Sequence, residues 1–239
     1  MPPFEISVAA GGARVRRSGT EWAIEVDPGL GDAAITPLLA AAVAYVASQG
    51  GGRARHWGPA EGSPAASMGF RADRHLHQMR LTLPVGIPYD LATRPFVVGQ
   101  DEQQWLAVNN RAFSWHPEQA GWTLEDLLIR QAEGWYDSAG FLLHESDGTI
   151  DGFCWTKVHH HHEPPLGEIY VIAIDPGAQG VGLGRALVLA GLDHLHEAGM
   201  EWGMLHVEDT NTAALALYRR LGFEIDHTEV NYVIDVSAP

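Results

Sequence analysis

The chain has 239 residues, an apolar fraction of 46% and a formal net charge of −15 with its thirteen histidines neutral. So acidic a chain argues against a nucleic-acid binder, which needs a basic face to release counterions from phosphates. Its one cysteine, Cys154, leaves no disulfide framework, no apolar run reaches spanning length, and Met1-Pro2-Pro3 has no signal-peptide character, so a cytoplasmic protein with no membrane partner is expected.

In chain order, residues 22–26 alternate as a strand does, and Asp27-Pro28-Gly29 ends it. Residues 33–48 are Ala- and Leu-rich and predict a helix, which Gly50-Gly51-Gly52 closes. A short strand near 54–57, a short helix ending at Met68-Gly69-Phe70 and a strand over 77–83 complete a first unit, residues 1–84. Residues 85–95 carry prolines and no periodicity, and read as a linker.

The second unit, 96–239, opens with a short strand at Phe96-Val97-Val98 and a helix over 102–113. Thr123 with Asp126 three residues on predicts a capped helix running to about Gly134. Residues 141–145 and 152–158 flank Ser146-Asp147-Gly148-Thr149, a hairpin signal. After four consecutive histidines, 159–162, come a strand over 169–174, a glycine-rich turn and a helix over 184–198. A strand over 203–207, a helix over 211–221 with Asn211 as N-cap and Gly222 as stop, and a final strand or hairpin over 223–236 follow.

The centre of this unit is the strand ending at Asp175-Pro176 and running into Gln179-Gly180-Val181-Gly182-Leu183-Gly184-Arg185. Glycines feeding a helix N-terminus expose backbone N–H groups at the positive end of a dipole, a setting that binds phosphate. The spacing is neither the dinucleotide fingerprint nor a nucleotide P-loop.

Gln179-x-x-Gly182-x-Gly184 instead resembles the acyl-CoA pyrophosphate loop of the GCN5-related N-acetyltransferases (GNAT), Q/R-x-x-G-x-G/A. Asn211 to Phe223 resembles a second segment of that superfamily, N-x-x-A-x-x-L-Y-x-x-L-G-F, and the predicted order β-α-α-β-β-β-α-β-α-β is the superfamily's order. The resemblance implies an α/β (α+β) GNAT fold, a mixed, mostly antiparallel sheet flanked by helices. It also implies a degenerate half-repeat in the first unit, whose loop Asp27-Pro28-Gly29-Leu30-Gly31-Asp32 carries two aspartates that would repel a pyrophosphate. Within the superfamily, residues 108–113, 116–123, 152–159 and 167–171 resemble the mycothiol synthase family, in which the second of two GNAT-like domains is catalytic. The first domain here lacks its own front half, a departure from that family.

From the resemblance follow the expected roles. Acetyl-CoA is the co-substrate, with its pyrophosphate on Gln179, Gly180, Val181, Gly182, Leu183, Gly184 and Arg185 and its pantetheine arm beside Ile172, Ala173 and Ile174. Asn211, Ala213 and Ala214 lie on the CoA side. Basic residues often found in the loop are replaced by Gly180 and Val181, which removes charge neutralisation. Glu168 is the acidic residue that contacts the acceptor and helps take its proton, and Tyr218 the general acid for the CoA thiolate. Glu118, Lys157, Glu168 and His206 contact the acceptor, a desacetylmycothiol-like amine; the family commonly has tyrosine in the place of His206.

Apart from the resemblance, each residue has a plainer reading: Glu168 a solvated strand-end carboxylate, Tyr218 a core aromatic, Glu118 and Lys157 surface charges. The four histidines cannot all face one ion and no acidic or cysteine partner sits at ligand spacing, so no metal is expected. Cys154 has no evident base partner and is not read as a nucleophile. The alternatives are a related acetyltransferase for another small amine or a protein N-terminus, and a non-catalytic acyl-CoA-binding protein. A monomer is expected.

Overall fold

A computed structural model describes residues 4–8, 11–18, 20–115 and 119–239. In chain order its elements are β1 (Phe4–Val8), β2 (Gly11–Ser18), β3 (Glu21–Val26), α1 (Asp32–Ser48), β4 (Gly52–Pro59), α2 (Pro64–Ser67), β5 (Arg71–Thr82) and β6 (Arg94–Pro95). They continue as α3 (Glu102–Ala112), α4 (Leu124–Gln131), β7 (Phe141–Ser146), β8 (Thr149–His159), β9 (Leu166–Ile174), α5 (Leu183–Glu197), β10 (Trp202–Glu208), α6 (Thr212–Arg220) and β11 (Glu224–Val236). Two compact units result, and they interleave along the chain: Met1–Gln78 with Val207–Thr212 and Ile225–Pro239, and Met79–His206 with Ala213–Glu224.

In the first unit β1, β2 and β3 form an antiparallel meander, and β3 then pairs parallel with β4 at Trp22↔Ala54, Ala23↔Arg55 and Ile24↔His56. β11 adds antiparallel to the far side of β4. Leu38, Leu39, Ala42 and Val46 recur at helical spacing on α1 and are fully buried; Leu39, Ala42 and Val46 close the core against Val15, Trp22, Ile24, Val230 and Tyr232. The hairpin β1–β2 lies ahead of the first strand expected from sequence.

The second unit repeats that path. β7, β8 and β9 form an antiparallel meander, and β9 pairs parallel with β10. Asp147 and Gly148, at φ 51° and 73°, make the tight turn between β7 and β8 that the Asp-Gly pair predicts. Thr123 and Asp126 cap α4 reciprocally, side chain to backbone in both directions. α5 packs on β8 and β9, and at Gly191 a Cβ would run into Cys154 Sγ, so the close approach of helix to sheet requires glycine. On the other side Trp105 is fully buried and meets Trp122, Phe141, Phe153 and Trp155 edge to face, pairs worth about 0.5–1.5 kcal/mol each beyond their burial.

One expected element differs. Val97 and Val98 are not a strand: the paired residues are Arg94 and Pro95, against Leu143 and Leu142. Asp101 takes the Val97 amide at 2.7 Å and both Arg94 amino groups, which turns the chain before α3. No helix among the described residues is long and apolar enough to cross a membrane.

Candidate active site

Asp175 ends β9 by bonding the Asp151 carbonyl through its amide at 2.8 Å and taking the Gly177 amide on its side chain at 2.9 Å. Arg111 Nε holds the same carboxylate at 2.8 Å, so the root of the loop is tied down. Gly180 and Gly182 then adopt φ of 89° and 88°, conformations that only glycine takes without strain, and Gly182 opens α5 with no side chain capping it. The first turn of α5 carries no acid, and Arg185 there is exposed. Amides and dipole are therefore left for an anion. Gln179, Val181, Gly182, Leu183 and Arg185 line one cavity of about 570 Å³, together with residues that include Tyr89, His144 and Asp151. Val181, at the tip, is 83% exposed. The matching loop of the first unit is different: Asp27 is spent on the Gly12 amide, and Asp32 occupies the first turn of α1.

β9 is paired fully on one side only. Its parallel register with β10 covers Gly167–Ile169 against Gly203–Leu205, while Val171, Ile172, Ala173 and Ile174 are matched to β8. The β8–β9 register skips Tyr170, a bulge that bends the strand where the β10 pairing stops. Beyond the β10 pairing the far edge of Ile172 and Ala173 thus keeps main-chain groups for an extended ligand, while the Ile174 carbonyl accepts from Gln179 Nε2 at 3.4 Å.

Just before the bulge stands Glu168, 6% exposed. His159 Nε2 lies 2.7 Å from one of its oxygens and His206 Nδ1 3.2 Å from the other. Burial alone would raise its pKa, but the two imidazoles outweigh it, by hydrogen bonding and charge, and hold the carboxylate at about 2. Glu168 is an anion at neutral pH, and not a solvated one. Lys157 is its cross-strand partner in register, and the Lys157 ammonium sits 4.7 Å over the Trp135 ring and 5.4 Å over Tyr170. Three of the acceptor-side residues expected from sequence, Lys157, Glu168 and His206, are thereby grouped; Glu118 lies outside the described residues.

Tyr218 faces inward from α6, 7% exposed, against Phe223. Burial raises its pKa above the ordinary phenol range, and the Cys154 thiol nearby raises it further, so the hydroxyl keeps its proton. Cys154 is itself fully buried and its pKa pushed up by that burial, which leaves an inert thiol. Ala213 is exposed and Ala214 half-buried at the start of α6, while Asn211, just ahead, groups with the first unit.

His159 is the residue that sequence reasoning missed here. Its signal was strand alternation: two residues beyond Lys157, it shares a face with it, and Glu168 lies opposite Lys157. The expectation that the histidine run has no acidic partner is thereby corrected, because the hairpin register delivers Glu168 to it from nine residues away.

The model of the acetyltransferase (GNAT) family matches residues 105–223. Mycothiol acetyltransferase of Acidimicrobium ferrooxidans is 52% identical over 70% of this chain and 56% of its own length. The enzymes of that name from Nocardia farcinica and Thermobispora bispora are 42% and 48% identical, over 86% and 80% of this chain and 74% and 68% of their own lengths. The chain thus spans from about half to three quarters of these relatives. In fold it is similar to a GCN5-related N-acetyltransferase from Sphaerobacter thermophilus, with TM-score 0.74 and 23% identity over 95% of this chain and 77% of that one. A tandem GNAT protein from the clavulanic acid biosynthesis pathway aligns with TM-score 0.69 and 16% identity over 96% of this chain and 80% of its own. With the phosphate-loop geometry, the one-sided β9 and this identity across most of its length, the chain belongs to the mycothiol acetyltransferase family of GNAT proteins.

Proposed function

We propose that the protein transfers the acetyl group of acetyl-CoA to the cysteine amine of a desacetylmycothiol-like acceptor, a cysteinyl-glucosaminyl-inositol, by direct attack in a ternary complex. The observation that carries this reading is the buried Glu168 carboxylate, gripped by His159 and His206 beside the open edge of β9.

Acetyl-CoA is a substrate here. Its pyrophosphate goes to the uncapped amides from Gly180 to Arg185, and its pantetheine amides to the edge of Ile172–Ile174 that β10 leaves unpaired, where an N–H also polarises the thioester carbonyl. The acceptor arrives as an ammonium, which the Glu168 anion attracts; Lys157 and Glu118 take hydroxyls of the sugar and inositol. A carboxylate held at about 2 is a weak base toward an amine of pKa about 8, so Glu168 orients and charges the site more than it takes the proton. That proton leaves to water on the side of the carboxylate where the partly exposed His206 sits. The neutral amine nitrogen then attacks the carbonyl carbon, the C–S bond breaks, the thiolate takes the proton of Tyr218, which burial keeps protonated, and the surplus proton on the new amide nitrogen is lost to solvent, from which Tyr218 is reprotonated.

The test is product formation. Protein, acetyl-CoA and desacetylmycothiol are incubated and the acetylated acceptor is followed by mass spectrometry, because a thiol reagent would react with the acceptor itself. Product that collapses in Tyr218→Phe and Glu168→Gln supports the reading. Bound acetyl-CoA without product would overturn the acceptor assignment and direct the search to other small amines.

A further inference from the structure

Three of the four consecutive histidines converge. β8 ends at His159, and the chain then turns back with the His162 amide donating to the His159 carbonyl at 3.3 Å. The rings of His159, His161 and His162 lie with centroids 5.6, 5.7 and 4.7 Å apart, and one nitrogen from each falls within 4.8 Å of the other two. His160 is not part of this group. A tetrahedral ion with nitrogens at about 2.0–2.1 Å requires them somewhat closer, and His161 and His162 are exposed, which leaves their side chains room to turn toward His159.

His159 is fixed. Its Nε2 is engaged by Glu168 at 2.7 Å, which leaves Nδ1 for ligation. A carboxylate on the distal nitrogen of a histidine sets the ring's tautomer and orientation and strengthens it as a ligand. Arg80 is the nearby cation that acts on His162. The Arg80 charge opposes a cation, and the buried Glu168 carboxylate offsets it.

We propose that His159, His161 and His162 form a site for a divalent transition ion that favours imidazole, Zn²⁺ as the representative, with Glu168 orienting His159 from behind. Three nitrogens leave the fourth position of such an ion to water or an incoming ligand. This revises the expectation, drawn from the sequence, that the histidine run holds no metal.

The full chain, without any affinity tag, is titrated with Zn²⁺ against a chromophoric chelator, beside His160→Ala and the double variant His161→Ala/His162→Ala. One equivalent is expected to bind to the native chain and to His160→Ala, and the double variant is expected to lose at least about tenfold in affinity. Glu168→Gln is expected to keep the stoichiometry and to weaken binding by a similar factor. Native binding that the double variant retains, or that His160→Ala loses equally, overturns the site. Affinity unchanged in Glu168→Gln overturns the role given to the carboxylate. The titration needs no substrate, so a failure of the acetyl-transfer reading leaves its result intact.

Discussion

The Phe223 amide donates to the Tyr218 carbonyl at 3.0 Å, and the two rings meet edge to face 5.7 Å apart. With the Gly222 amide on the Arg219 carbonyl at 3.1 Å, this is a Schellman closure of α6, and Gly222 at φ 97° makes it possible. The hydrophobic contact that accompanies such a closure is, in this chain, the contact that fixes the proposed general acid.

Phe223→Ala is therefore expected to cost about 3 kcal/mol in denaturant unfolding and to lower kcat while leaving the KM for acetyl-CoA near its native value. Gly222→Ala forces a side chain into the left-handed region and is expected to cost about 1–2 kcal/mol, with a smaller fall in kcat. An unaltered kcat in a folded Phe223→Ala would detach the cap from catalysis.

Tyr218→Phe removes one hydroxyl and keeps the ring packed against Phe223. The expected outcome is a loss in kcat on the order of 100-fold with unfolding midpoints little changed. Product measured by mass spectrometry decides it; near-native turnover would assign the thiolate's proton to water.

Glu168 has a folded-state pKa of about 2 against an ordinary 4.5. Its ionisation therefore stabilises the fold above pH 4.5, and that contribution is lost as pH falls from there toward 2. Melting temperatures of the native chain and Glu168→Gln, compared from neutral pH downward, are expected to differ most at neutral pH and to approach each other below pH 4.5. A gap that ignores pH would mean the carboxylate is not held ionised by its histidines.

Val181 is an apolar side chain, 83% exposed, at the tip of a loop read as cradling a diphosphate. Val181→Arg adds a cation at that helix N-terminus' ligand, and acetyl-CoA is expected to bind about two- to fivefold tighter at low ionic strength. Calorimetry at two salt concentrations tests it, since the gain is expected to fade as salt screens the new charge.

What could be read from the chain alone follows from how local each feature is. The loop from Gln179 to Gly184 and the segment from Asn211 to Phe223 are short, and each residue's job is set by neighbours a few positions away: glycines at positive φ, a helix stop at Gly222. The hairpin β1–β2 was not legible, because its support is across strands, with Arg14 on Glu5 at 3.5 Å within it and Arg16 on Glu25 at 2.6 Å tying β2 to β3. Val97 and Val98 have the composition of a strand, yet Asp101 captures the Val97 amide and makes a turn. Lys157, Glu168 and His206 were singled out through the family resemblance, but the grip of His159 on Glu168 depends on the register of two strands and on a bulge at Tyr170.

The two units trace the same path, strand meander, loop, helix and parallel strand, and both helices open on a glycine that no side chain caps, yet one loop carries Asp27, on the Gly12 amide, and Asp32 in the first helical turn, while the other has no acid in that turn. On the proposed reading, the two carboxylates make the first loop repel an anion that the second would accept. Counted by titration, the expected consequence is a single inflection at one acetyl-CoA per chain, however alike the two backbones are.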